Sequence, residues 1–201
     1  MLLVIAGHNG AGKTTCYETR LKPQLETFFV AHINPDEVEK EVRAAHALGA
    51  MTDEEFSLQA QTEAEQMRGD LLDSGESFSF ETVGSHISKV EFIQRARRQG
   101  YVVGLLFVGL ESAEKSQERV TARVSRGGHD VPPAKIASRY MHVIENMALA
   151  VRAASVALVV DNSRDGDPQQ ARYLDAALFI GGELAKTSDD LPEWVEDFIA
   201  H

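Results

Sequence analysis

The chain has 201 residues, 43% of them hydrophobic and 25% charged, which suits one folded domain with a sizeable core. Its net charge of −11 argues against a general binder of nucleic acid or of acidic membranes, because attraction to phosphates dominates such affinity. No run approaches about 18 consecutive apolar residues, so no membrane span is expected. The single cysteine, Cys16, excludes an intrachain disulfide. With no basic, cleavable leader in view, a cytoplasmic protein is expected.

The first predicted element is a strand over 1–6 (MLLVIA), which runs straight into GHNGAGKTT at 7–15. That stretch fits G-x-x-x-x-G-K-[ST], with Gly7, Gly12, Lys13 and Thr14 at the required positions. Glycines let the backbone curl so that successive N–H groups point at phosphate oxygens. Residues Gly7, His8, Asn9, Gly10, Ala11, Gly12, Lys13, Thr14 and Thr15 are therefore assigned to nucleotide binding. Lys13 reaches the β- and γ-phosphates, and the Thr14 hydroxyl suits Mg²⁺. A helix over 14–26 follows, whose N-terminus favours anions.

Further along, strands are predicted at 28–33, 77–81, 101–108 and 155–160, with helices at 35–48, 53–74, 86–99, 112–125 and 133–152. Four of the five strands are nearly continuous apolar runs, as in strands covered on both faces; SFSF at 77–80 alternates instead. The alternation of strand and helix predicts an α/β fold with a five-stranded, mostly parallel sheet, spanning 1–201 as one domain. The tail, 168–200, reads as two helices interrupted at Gly181-Gly182, with Trp194, Val195 and Phe198 as packing residues. Gly127-Gly128 and Pro132-Pro133 bracket a loop that contains His129.

In parallel α/β sheets ligands gather beyond the carboxyl ends of the strands, where two acids fall. Asp36 follows FFVAHINP on the strand expected beside the phosphate loop, and opens a helical insertion over 35–76 able to cover an acceptor. Glu81 ends SFSF and is followed by Thr82. Phosphoryl transfer to a hydroxyl needs a carboxylate near the attacking oxygen and help with the metal. Spacing alone leaves Asp36 equally a base or a helix cap, and Glu81 equally a ligand or an exposed turn residue. Residues 113–152 carry seven Lys/Arg against four Asp/Glu, a local charge of +3. Arg119 and Arg123 share a helical face, Arg126 stands at the loop entrance and Arg139 returns from its far side. That pattern suits a lid whose arginines stabilise charge on a transferring phosphoryl group; a solvated helical face accounts for any one of them equally well.

Taken in order, GHNGAGKTT, INPDEV, FSFETVGS, RVTARVSRGGHDVPPAKIASRY and VVDNS resemble the zeta-toxin family of P-loop kinases over residues 1–163, particularly its short stand-alone members. The resemblance implies an adenylate-kinase-like core using ATP and Mg²⁺, with Lys13 and Thr14 on the nucleotide and metal and Asp36 as base. It further implies Glu81 and Thr82 near acceptor and metal, Arg126 and Arg139 as lid arginines, and Asn162 near the nucleotide base, with Arg123 assigned to substrate contact. Better-known members phosphorylate UDP-N-acetylglucosamine, so a nucleotide sugar is one candidate acceptor and an antitoxin protein a candidate partner. Segment 35–76 carries no matched acceptor signature, and the identity of the hydroxyl stays open. An ABC-type ATPase is a rival, because VALVVD at 156–161 offers a strand and an Asp, yet Asn162 rather than Glu follows Asp161. A GTPase is disfavoured by the lack of N-K-x-D. A nucleotide-binding regulator without an acceptor is the rival from another class.

Overall fold

The computed structural model describes residues 1–46, 51–127, 131–164 and 173–200, with the Glu26 side chain set aside. Strands β1 (Leu2–Gly7), β2 (Ala31–Ile33), β3 (Phe78–Thr82), β4 (Val103–Gly109) and β5 (Val156–Asp161) form a parallel array. Strands β6 (Leu174–Ile180) and β7 (Glu183–Thr187) add to it antiparallel, giving the order β2-β3-β1-β4-β5-β6-β7. The mostly parallel α/β sheet thus has seven strands among the described residues, not five.

The two extra strands come from the tail, which is not the pair of helices the pattern suggests. It is a hairpin, β6-β7, followed by one helix, α8 (Glu193–Ala200). Gly181 and Gly182 have φ of 61° and 87°, the double positive φ that a tight hairpin turn of the right twist requires. What reads as a helix interruption is therefore the turn itself. Trp194, Val195 and Phe198 pack as expected: Val195 and Phe198 are fully buried, and Trp194 meets Phe107 edge-on at 6.0 Å.

Period-two alternation sorts the strand side chains between two cores. Leu3, Ile5, Leu106, Val108 and Val160 face the phosphate-loop helix α1 (Lys13–Cys16) and the buried Cys16 and Tyr17. A wider π-turn (Tyr17–Leu21), α2 (Lys22–Leu25) and a 3₁₀ turn (Glu26–Phe28) prolong that helix, which takes the first residues of the predicted second strand. Leu2, Val4, Phe78, Phe80, Leu105, Phe107 and Val159 face the opposite layer. That layer holds α3 (Pro35–Ala45), α4 (Asp53–Asp73), α5 (Ser88–Arg98), α7 (Pro133–Ala153) and α8. Helix α6 (Ala113–Val124) packs on α7. The alternation of SFSF now has a cause: Phe78 and Phe80 fill the large core, while Ser79 and Glu81 turn to the phosphate-loop side. One expectation is corrected. On the side of β2 the strand beside β1 is β3, with Glu81 next to its last residue; β2, which leads to Asp36, is the edge strand beyond it. No helix among the described residues is long and apolar enough to cross a membrane.

Candidate active site

The loop after β1 is shaped by where its carbonyls go. Asn9 O accepts from Ser116 Oγ at 2.6 Å, Ala11 O from Asn162 Nδ2 at 2.9 Å, and Gly12 O from Tyr173 Oη at 2.9 Å. Gly7 O and His8 O accept from Lys13 Nζ at 3.0 and 3.1 Å. Gly7 must be glycine, since a Cβ there would lie 2.0 Å from the Val108 carbonyl oxygen. With the carbonyls drawn outward, the amides of Gly10, Gly12, Lys13 and Thr14 donate to no protein acceptor among the described residues. Such a row of inward amides at a helix N-terminus is an anion cradle.

Beside the cradle, Thr14 Oγ1 donates to Glu81 Oε2 at 2.8 Å. The other oxygen, Oε1, accepts from Asn34 Nδ2 at 3.1 Å and faces His32 Nε2 at 3.4 Å. His32 stacks on Tyr17, ring centres 4.1 Å apart, and its Nδ1 pairs with Ser79 Oγ at 2.8 Å. Glu81, only 4% exposed, is thus held by three neighbours rather than left in an open turn. Lys13 responds to the same cluster. Burial lowers its ammonium pKa, Glu81 and Asp36 oppose that, and Arg123 adds to the lowering. Lys13, Thr14, Glu81, Asp36 and Arg123 therefore converge on one place.

The helix-cap alternative for Asp36 is answered locally. Asn34 caps α3, its side chain accepting from the Asp36 amide at 2.9 Å, with Pro35 in the first turn. The Asp36 carboxylate is left exposed at the carboxyl edge of the sheet. Thr82 Oγ1 accepts from the Gly84 amide at 3.2 Å, closing the turn after β3. Thr15 is exposed one position past Thr14. Asn162 is 3% exposed and lies behind the loop, holding Ala11 while its own carbonyl accepts from Arg119 at 3.1 Å. Asp161, the acid the ATPase rival needs, has Oδ1 occupied by the Ser163 amide, Ser163 Oγ and Trp194 Nε1.

His8 is buried, with Nδ1 accepting from the Leu110 amide at 3.3 Å and its ring stacked on Tyr140 at 4.4 Å. Burial, helped by the Lys13 charge, lowers its pKa to about 3. Tyr140 in turn donates to Leu110 O at 2.8 Å, tying α7 to the loop. Arg126 is exposed and Arg139 half-buried, and neither guanidinium makes a hydrogen bond or ion pair among the described residues. They flank residues 128–130; those, including His129, lie outside the described residues.

Comparison with known proteins gives this geometry a family. The zeta toxin family model matches residues 1–167. The chain belongs to the zeta-toxin family. Among solved structures it is similar to AvrRxo1-ORF1 in its complex with AvrRxo1-ORF2 and sulphate ions, with a TM-score of 0.74 and 19% identity, covering 98% of this chain and 63% of that one. The same pair solved with ATP gives a TM-score of 0.72 at 19% identity, covering 98% and 62%. The PezAT toxin–antitoxin system of Streptococcus pneumoniae gives 0.56 at 16% identity, covering 98% and 82%. The chain thus spans less than two thirds of the AvrRxo1-ORF1 chain, and these likenesses show a shared P-loop kinase fold. No curated protein matches the chain. Zeta-toxin membership supports a kinase-like phosphotransferase.

The residues that sequence reasoning missed are the supports: His32, Asn34, Ser116 and Tyr173. Asn34 had a signal, since Asn before Pro-Asp is a helix-cap pattern. Tyr173 had none, because nothing local ties it to Gly12, 161 positions away.

Proposed function

We propose that this zeta-toxin family member is an ATP- and Mg²⁺-dependent kinase that transfers the γ-phosphoryl group to a small-molecule hydroxyl. The observation that carries the reading is the Thr14–Glu81 contact of 2.8 Å beside the cradle, with Lys13, Asp36 and Arg123 around it. Two hard oxygens, one a carboxylate, fit Mg²⁺, which takes few protein ligands and completes its octahedron with phosphates and water. No group of three or more His, Cys, Asp or Glu suited to a metal occurs among the described residues. Thr14 and Glu81 would hold the ion, which when bound neutralises charge on the phosphate oxygens.

In this reading the loop amides and Lys13 grip the nucleotide. Asp36, unburdened by capping, accepts the proton of the acceptor hydroxyl as its oxygen bonds to γ-phosphorus and the bond to ADP breaks. Arg123, Arg126 and Arg139 close over the transferring group as a lid formed by 113–152. Helices α3 and α4, the described helices of the 35–76 insertion, cover the acceptor. Thr82 lies beside Glu81 on the acceptor side, while the Asn162 placement favours a support of the loop over a contact to the nucleotide base. A UDP-N-acetyl sugar is the acceptor class that the family favours, an antitoxin protein the partner, and the cytoplasm the compartment.

The test is incubation with ATP, Mg²⁺ and a panel of nucleotide sugars and other small-molecule alcohols, read by mass spectrometry for an added phosphoryl group. One acceptor should gain it, and Asp36→Asn should slow transfer by about 10²–10⁴-fold while ATP still binds. Because Asn34 is the cap, that substitution should leave the thermal midpoint almost unmoved. ADP release with no phosphorylated product, or near-normal transfer by Asp36→Asn, would refute the assignment.

A further inference from the structure

Part of the phosphate cradle is held from beyond the span that defines the family. The zeta toxin model ends at residue 167, yet the start of β6 reaches back to the loop. Tyr173 donates from Oη to Gly12 O at 2.9 Å, and the same oxygen accepts the Cys16 amide at 2.8 Å. Helix α1 therefore satisfies this carbonyl already, and the hydroxyl adds a bond to its other lone pair. Burial pushes the Tyr173 pKa up to about 12, so the group keeps its proton and stays a donor. Gly12 has φ of 83°, and a Cβ there would stand 2.9 Å from Tyr173 Oη. The hydroxyl thus backs directly onto the loop.

Tyr173 is itself clamped. Its ring faces the Arg20 guanidinium at 5.9 Å, and Arg20 pairs with Asp175 of β6 at 2.8 Å. That pair ties the helical turn after the loop to the strand that follows Tyr173. What the hydroxyl does follows from the peptide plane. The 12–13 bond is trans and planar, so its C=O and N–H point in opposite directions. Fixing the Gly12 oxygen toward Tyr173 aims the Lys13 N–H into the cradle. A bond at the oxygen also polarises the unit and strengthens its N–H as a donor.

We propose that Tyr173 is a positioning residue for the phosphate chain of the nucleotide, setting the cradle's affinity for phosphate oxygens through the Gly12–Lys13 peptide while touching neither base nor acceptor. The proposal rests on the nucleotide site of the kinase reading, and it is testable without turnover. Pyrophosphate and ADP are titrated by calorimetry into wild type, Tyr173→Phe and Arg20→Met, alongside thermal midpoints. Pyrophosphate has no base, so a loss seen with it belongs to the cradle. Phe keeps the ring against Arg20 and removes only the hydroxyl.

Tyr173→Phe should weaken both ligands by the same factor, about three- to tenfold, the worth of one hydrogen bond. Its thermal midpoint should hardly move, because Gly12 O keeps the Cys16 amide. Arg20→Met should weaken pyrophosphate in the wild-type background and add little to Tyr173→Phe, since both act through one ring. Should Tyr173→Phe fail to fold, Arg20→Met carries the comparison. Equal pyrophosphate affinity in wild type and Tyr173→Phe would overturn the proposal. So would weakening of ADP alone, the mark of a contact to the base, or a lowered midpoint with both affinities unchanged, the mark of a packing residue. In turnover, Tyr173→Phe should raise KM for ATP with little change in kcat; a fall in kcat at unchanged KM would defeat the assignment. Wild type that binds both ligands yet phosphorylates no acceptor would end the kinase reading and leave the Tyr173 comparison standing.

Discussion

Glu81→Gln separates metal binding from structure, because the two effects differ in size. The substitution keeps volume and shape in a site only 4% exposed. Its amide oxygen can still accept from Asn34 Nδ2 and face His32, while its NH₂ meets Thr14 Oγ1, a hydroxyl able to reverse and accept. Bonds to an ionised acceptor, about 1.5–3 kcal/mol each, become neutral ones of about 1 kcal/mol. Relief from burying a charge offsets part of that loss. The net cost is about 1–2 kcal/mol, a fall of about 2–8 °C in thermal midpoint for a domain of this size. Removing a carboxylate from a metal's surroundings is worth about 10–100-fold in metal affinity. Lys13 also loses its main support against burial, so its ammonium pKa falls further. The assay is the rate of phosphoryl transfer against Mg²⁺ concentration. Half-saturation should move up by about 10–100-fold, with nucleotide binding measured without Mg²⁺ nearly unchanged. An unaltered Mg²⁺ dependence at wild-type rate would remove Glu81 from the metal site, and a collapse of the fold would make it a packing residue.

Two further expectations follow from the charges. Arg126→Ala and Arg139→Ala should each lower kcat by on the order of 10³ while changing ATP affinity little, checked by kinetics at saturation beside direct nucleotide titration; weakened ATP binding with unchanged turnover would make them ground-state anchors. His8 has its pKa lowered from 6.5 to about 3, so protonation favours the unfolded chain. Its contribution to stability is full above pH 6.5 and is lost as pH falls toward 3, by about 1.4 kcal/mol per unit, and His8→Gln should flatten that part of a stability–pH curve measured by urea unfolding.

Several features of the protein can be read along the chain because their chemistry is local. Gly7 to Thr15 needs only consecutive backbone amides and the side chains beside them, so the cradle is visible in nine letters. Apolar continuity marks four of the five parallel strands, since strands covered on both faces need no polar side. The alternation of SFSF, which looks like a weaker strand, carries information about the site: Glu81 is polar because its face of the sheet meets Thr14.

Tertiary structure alone decided how distant pieces meet. Sheet order placed β3 between β1 and β2, bringing Glu81 rather than Asp36 next to the loop; strand order depends on crossovers that no window of sequence contains. Asn162, Tyr173 and Ser116 hold the loop's carbonyls across separations of more than a hundred residues, and only packing can make such partners. The hairpin at Gly181-Gly182 lay in between. Its double glycine was legible, but the Leu-rich runs beside it fit a helix equally well, and pairing with β5 decided in favour of strand. Arg68 looks like an ordinary surface arginine of an amphipathic helix. Only the fold lays its guanidinium over the Phe80 ring, buried beneath α4 with Glu65 as its opposite charge.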